Sequence, residues 1–162
     1  MATHVVIGDP HCTPKASNER FLWAGRLAAD VRATHIICMG DFCSMDSLSS
    51  YDKKKKSFEG RRYQKDMQHS HEALSLFNKG LGKHKARKIM LHGNHEDRID
   101  RFVDENPELD GTLKISDLNF KQYGWQEVPY KQNKVLNGVY YAHHFPSGIL
   151  GSAISGENIA RT

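Results

Sequence analysis

Cysteine is scarce in this chain and long apolar runs are missing, and each absence closes off a class of protein. The 162 residues hold three cysteines, Cys12, Cys38 and Cys43, an odd number with no Cys-x-x-Cys pair. That argues against a disulfide scaffold and for free thiols in a reducing compartment. No window approaches the roughly 18 consecutive apolar residues of a membrane-crossing helix. The start, Met1-Ala2-Thr3-His4-Val5-Val6, has neither the basic stretch nor the apolar block of a secretory signal. A cytoplasmic protein with no membrane partner is expected. No internal repeat is visible either, and Lys53 to Lys56 is the only low-complexity stretch.

What is present fits one ordinary domain with a real core, at 38% hydrophobic and 26% charged residues. The formal charge of +4 is unevenly spread. Residues 52 to 65 carry seven positive and two negative side chains, a net of +5, so the rest of the chain sums to about −1. A basic insert of this kind attracts phosphate-bearing partners such as nucleic acid, although a lysine run also occurs as a plain solvated loop.

Four short runs rich in β-formers read as strands: His4 to Ile7, His35 to Met39, Lys88 to Leu91 and Val139 to Ala142. Between the first two, Ser17 or Asn18 caps a helix whose apolar face is Phe21, Ala24, Ala28 and Val31. A second helix over Tyr63 to Phe77 places Tyr63, Met67, Leu74 and Phe77 on one side and ends at Gly80 and Gly82. A third, Glu96 to Glu105, carries Ile99, Phe102 and Val103 and stops at Pro107. Asn137-Gly138, between Lys134-Val135-Leu136 and Val139-Tyr140-Tyr141, is the pair favoured in two-residue hairpins. Alternating strands and helices predict an α/β fold with a parallel sheet.

Chemistry concentrates at the C-terminal ends of the four strands. Asp9 and His11 follow the first, and strand alternation would point residues two apart to the same side. Gly40-Asp41 follows the second, Gly93-Asn94-His95-Glu96 the third and His143-His144 the fourth. In a parallel sheet these ends share one edge, where open α/β proteins place their sites. A mixed oxygen and nitrogen donor set of this kind suits Mn, Fe, Zn or Ni better than Ca or Mg.

Taken in order, Asp-x-His, Gly-Asp, Gly-Asn-His-Glu and a later His resemble the calcineurin-like metallophosphoesterase family over residues 8 to about 145. The resemblance implies a four-layer α/β/β/α sandwich and a phosphoester hydrolase with two divalent ions, Mn favoured. Its substrate would be a phosphodiester, a nucleotide or a nucleic acid. It implies that Asp9 and His11 hold the first ion, that Asp41 bridges both, and that Asn94 and His143 hold the second. His95 then looks like the general acid, with Asn94 and His95 facing the substrate. Arg98, in the first turn after that block, is within reach of a substrate phosphate, but reads more readily as a solvated helix charge. Physical logic runs the same way: paired ions activate a bridging hydroxide for in-line attack, and a departing alkoxide needs a proton from a nearby imidazolium.

Two departures stand out. No histidine follows His144, so the family's closing Gly-His-x-His block is missing. Residues 155 to 162 read as a capped helix cut after its first turns, so the expectation is that the native chain continues past Thr162. The Asp and Arg of the protein-phosphatase branch are replaced by Ser44 and Met45, which speaks against a phosphoprotein phosphatase, although Asp46 is expected within reach of the His95 neighbourhood. Cys12 and Cys43 flank the site as bystanders, His69 and His71 read as surface residues, and His92 reads as a packing residue. The first helical turn after Gly-Asn-His-Glu aims its amides at the same edge and favours a phosphate there. The alternative from another class is a non-catalytic binding or scaffolding module of the same fold, which the intact His95 disfavours. A purely structural metal site is disfavoured by the lack of a closed, Cys-rich ligand set.

Overall fold

Val5-Val6, Ile36-Ile37 and Ile89 supply the β-branched side chains that suit a pleated surface, and each lies in a strand of one parallel sheet. The computed structural model of the chain describes residues 2–143. Its elements run β1 (His4–Ile7), α1 (Glu19–Asp30), β2 (His35–Cys38), α2 (Tyr63–Leu81), β3 (Arg87–Leu91), α3 (Arg98–Glu105), β4 (Trp125–Val128), β5 (Asn133–Leu136) and β6 (Val139–Ala142). The sheet order is β1-β2-β3-β4, every neighbour parallel, with His4 opposite His35, His35 opposite Arg87 and Lys88 opposite Trp125. The result is a mixed α/β fold.

Strand alternation splits the core in two. Ile36, Cys38, Met90 and Trp125 pack with Phe21 and Ala28 of α1 and with Leu74 and Phe77 of α2. Ile37, Ile89, Leu91 and Val128 pack with Leu136 and Tyr141 from the β5–β6 hairpin. Helices therefore cover one face of the sheet and the hairpin covers the other. Gly25 and Gly80 let α1 and α2 cross closely: a Cβ on Gly80 would sit 2.1 Å from the Leu22 carbonyl oxygen. No helix among the described residues is long and apolar enough to cross a membrane.

The structure departs from the sequence reading in four places. β4 was not anticipated, because Gln126 and Glu127 make half of its four residues polar; pairing with β3 makes it a strand. β6 does not join the parallel sheet: it pairs antiparallel with β5 in a separate two-stranded sheet, as the Asn137-Gly138 turn requires. Helix α2 runs through Gly80 to Leu81, since close packing on α1 needs a glycine there; Gly82, at φ +60°, ends it. Val31 lies just beyond α1 and is 43% exposed, so Gly25 completes the buried face with Phe21 and Ala28. His144 and the helix read over 155–162 lie outside the described residues.

Candidate metal centre

Every segment at this site is a loop that leaves a strand, and hydrogen bonds beyond the strand ends hold the loops in register. His11 N–H donates to the Asp41 carbonyl at 3.0 Å, Cys12 N–H to that of Phe42 at 2.7 Å, and Ser44 N–H to that of Cys12 at 2.9 Å. β1 itself stops at Ile7, and His11 has φ +45°, so strand alternation does not govern Asp9 and His11. Asp9 turns instead toward His143, with Oδ1 3.6 Å from Nδ1, while His11 turns toward Asp41.

Asp41 is the centre. It is 5% exposed, and among the described residues each of its ion-pair partners is a histidine. Its Oδ2 lies 3.9 Å from His11 Nε2 and 3.8 Å from His95 Nε2; its Oδ1 lies 3.4 Å from His143 Nε2. The rings of His11 and His95 meet edge to face, 4.6 Å between centroids. His11, Asp41 and His95 offer ligand atoms within 4.8 Å of one another, a group able to hold one metal ion. Asn94 stands on the other side, its Oδ1 3.3 Å from His143 Nε2.

The hydrogen bonds fix which nitrogens face inward. A backbone carbonyl only accepts, so His143 Nδ1–H donates to Met39 O at 2.6 Å, and His95 Nδ1–H donates to Ser44 O at 2.7 Å. In the neutral rings Nε2 then carries a lone pair. For His143 that lone pair meets Asp41 Oδ1 and Asn94 Oδ1, acceptors all, and such a convergence is stable around a cation. Imidazoles anchored through their second nitrogen to a carbonyl are the usual form of metal-binding histidine. The donors present therefore fit a metal ion.

Backbone strain and two glycines shape the pocket. His11, Asp41 and Met45 have φ of 45°, 46° and 46°, a conformation that costs of order 1–2 kcal/mol per non-glycine residue. Gly40 has φ +103°, and a Cβ there would sit 2.5 Å from His143 Nδ1. A Cβ on Gly93 would lie 2.0 Å from Asp41 Oδ1, so only glycine lets the two loops touch.

Glu96 fastens the loops together, a role the sequence did not reveal. Fully buried, it accepts N–H bonds from Asp41 at 3.0 Å, Cys43 at 3.0 Å and Gly93 at 2.7 Å. Burial raises its pKa to about 7, against the pull of the Cys43 and Gly93 N–H groups toward the ionised form. The only sequence signal was its place at the end of Gly93-Asn94-His95-Glu96, where three amides happen to lie within its reach.

Arg98 is not a solvated helix charge. Its Nη1 donates to Ser44 O at 2.8 Å and its Nη2 lies 2.9 Å from His95 Nε2. Burial lowers the pKa of His95; Asp41 pulls the other way and Arg98 adds to the depression. The turn leading into α3 spends its amides internally, Asp97 N–H on Gly93 O and Arg98 N–H on His95 O, both at 3.2 Å, so they are not aimed at a phosphate as the sequence reading expected. Asp46 does not reach His95 either: its Oδ2 accepts from Thr13 Oγ1 at 3.3 Å, and the Ser44 carbonyl orients the imidazole instead.

The remaining candidates fall outside the centre. Cys12 and Cys43 are buried around Ser70 Oγ, at 3.5 and 2.7 Å. His92 packs and pairs with Glu127 at 2.8 Å. His69 and His71 are partly buried rather than surface residues, holding the Ala16 and Asp117 carbonyls at 2.9 and 2.8 Å. Set against protein-family models, curated proteins and solved structures, the chain matches none of them.

Proposed function

We propose that this chain is a divalent-metal-dependent phosphoester hydrolase of the calcineurin-like metallophosphoesterase type. The observation that carries the reading is Asp41: a buried carboxylate ringed by three imidazoles, with its two oxygens turned to different partners. Oδ2 faces His11 and His95, and Oδ1 faces His143 and Asn94. In this reading two ions would be held by these residues, with Asp9 beside His143 as a further donor. In this reading the helix, sheet and hairpin layers are three of the four in an α/β/β/α sandwich. When bound, divalent ions supply an activated water and neutralise the charge that builds up in an in-line displacement at phosphorus.

The chain's own groups do the rest. His95 keeps its Nδ1–H on the Ser44 carbonyl, so Nε2 is the atom that hands a proton to the departing oxygen. Arg98 occupies that Nε2 in the free chain. A phosphate that draws the guanidinium onto its own oxygens leaves Nε2 open to take a proton from solvent, the proton it then gives to the departing oxygen. Asn94 reaches the same phosphate from the opposite side.

The test is hydrolysis of bis-p-nitrophenyl phosphate with added Mn²⁺, expected in the parent chain and abolished by a chelator. His95→Ala should lower turnover of an alkyl phosphodiester by about 10²–10⁴ and that of the p-nitrophenyl ester far less, because p-nitrophenolate leaves without a proton. Loss of Mn²⁺ affinity in that variant would make His95 a ligand instead of the acid. A parent chain with no metal-dependent turnover would sink the reading.

A further inference from the structure

The basic segment could have been a loop remote from the centre. In the structure it leans on α3, which starts beside the metal centre. Lys53 Nζ lies 3.9 Å from Glu105 and 5.4 Å from the centre of the Phe102 ring. Arg98 and Arg101 stand one turn apart on the same face of α3, the first against His95 and the second donating to the Asn94 carbonyl at 2.9 Å. A basic track therefore leads from Arg98 through Arg101, which also pairs with Asp97 at 3.1 Å, to Lys53 and on to the exposed Lys54, Lys55 and Lys56. Tyr51, Arg98, Arg101, Phe102 and Glu105 line a small open cleft. Tyr51 stands over it 80% exposed.

We propose that the substrate is a single-stranded nucleic acid, lying along Arg98, Arg101 and Lys53 with one base stacked on Tyr51. Phosphates need the cations, and an unpaired base needs an aromatic face; a duplex would keep its bases from Tyr51. The inference rests on the hydrolase reading for its chemistry and on the charge track for binding.

Anisotropy of a fluorescein-labelled oligothymidylate, measured in a chelator to block turnover and across a NaCl series, tests it. The parent chain should lose affinity steeply with salt. Tyr51→Ala should weaken binding about tenfold, and Arg101→Gln should reduce the salt slope by about 0.7. Lys83→Gln with Lys85→Gln, in the turn before β3 at the far edge of the sheet, should leave both unchanged. Salt-insensitive binding, an equal loss from the Lys83 and Lys85 changes, or equally tight binding of a duplex would overturn the proposal. Turnover of bis-p-nitrophenyl phosphate by the parent chain is read separately: turnover without oligonucleotide binding removes only the track, and binding without turnover removes only the hydrolase.

Discussion

Replacing Glu96 by Gln changes one atom type in a side chain that is 0% exposed and leaves its volume intact. The carboxylate accepts three backbone N–H bonds, two at Oε2 from Asp41 and Gly93 and one at Oε1 from Cys43. A glutamine can place its oxygen at the first position, but its NH₂ then confronts the Cys43 N–H, donor against donor. Two buried donors, the Cys43 N–H and the new NH₂, are left without an acceptor, at about 1–3 kcal/mol each, so the variant should be about 2–6 kcal/mol less stable. For a chain of this size that lowers the melting temperature by roughly 5–20 °C. The damage should also be local. Asp41 N–H is one of the three donors, and a shift of its loop moves the carboxylate that the three histidines surround. Mn²⁺ affinity should fall by about 10–100-fold, as it does when an outer partner of a metal ligand is lost. Thermal melts by circular dichroism and Mn²⁺ titration by calorimetry, on parent and variant alike, measure both effects. A variant that melts within 2 °C or so of the parent and binds Mn²⁺ equally well would refute the idea that Glu96 holds the centre together.

Gly93→Ala puts a methyl about 2.0 Å from Asp41 Oδ1, and the backbone must move to relieve it. The expected result is loss of measurable Mn²⁺ binding by calorimetry in a protein that still folds by circular dichroism; unaltered binding would show that the two loops do not need this contact. His143→Ala removes the imidazole facing Asp41 Oδ1 and leaves His11 facing Oδ2, so bound Mn²⁺ per chain, measured by metal analysis after dialysis, should fall from two to one. Two ions retained would place the second site elsewhere. Asp66 is buried, and burial raises its pKa above the usual 3.8, with the Ser47 N–H opposing. The folded chain then holds that proton more tightly than the unfolded chain, so this contribution to stability is complete below about pH 3.8 and is lost as pH rises through the folded value. Asp66→Asn, which keeps an oxygen for the Ser47 N–H, should gain stability relative to the parent as urea midpoints are followed from pH 3 to pH 7, and a constant difference would contradict the burial argument.

The short-range parts of this protein were legible in its sequence. Apolar β-branched runs set β1, β2 and β3 to within a residue at their ends, Asn137-Gly138 set the hairpin, and periodic apolar residues set most of α1 and α2. The same was true of where Asp41, Asn94, His95 and His143 lie, because each follows a recognisable strand. What depended on contacts between distant segments was not legible. β4 is a strand because β3 offers it hydrogen bonds, and β6 approaches Asp41 from a second sheet across the Leu136 and Tyr141 core instead of along a shared edge. Left-handed His11 replaces strand alternation as the reason its ring faces Asp41, Glu96 becomes a clasp only when amides 53 and 55 residues upstream come within reach, and Arg98 leaves solvent only because Ser44 offers a carbonyl. The sequence by itself determined which residue types reach the site and on which local elements. Tertiary structure decided which of their atoms face one another, because hydrogen-bond partners and close contacts far apart in the chain leave no local pattern to read.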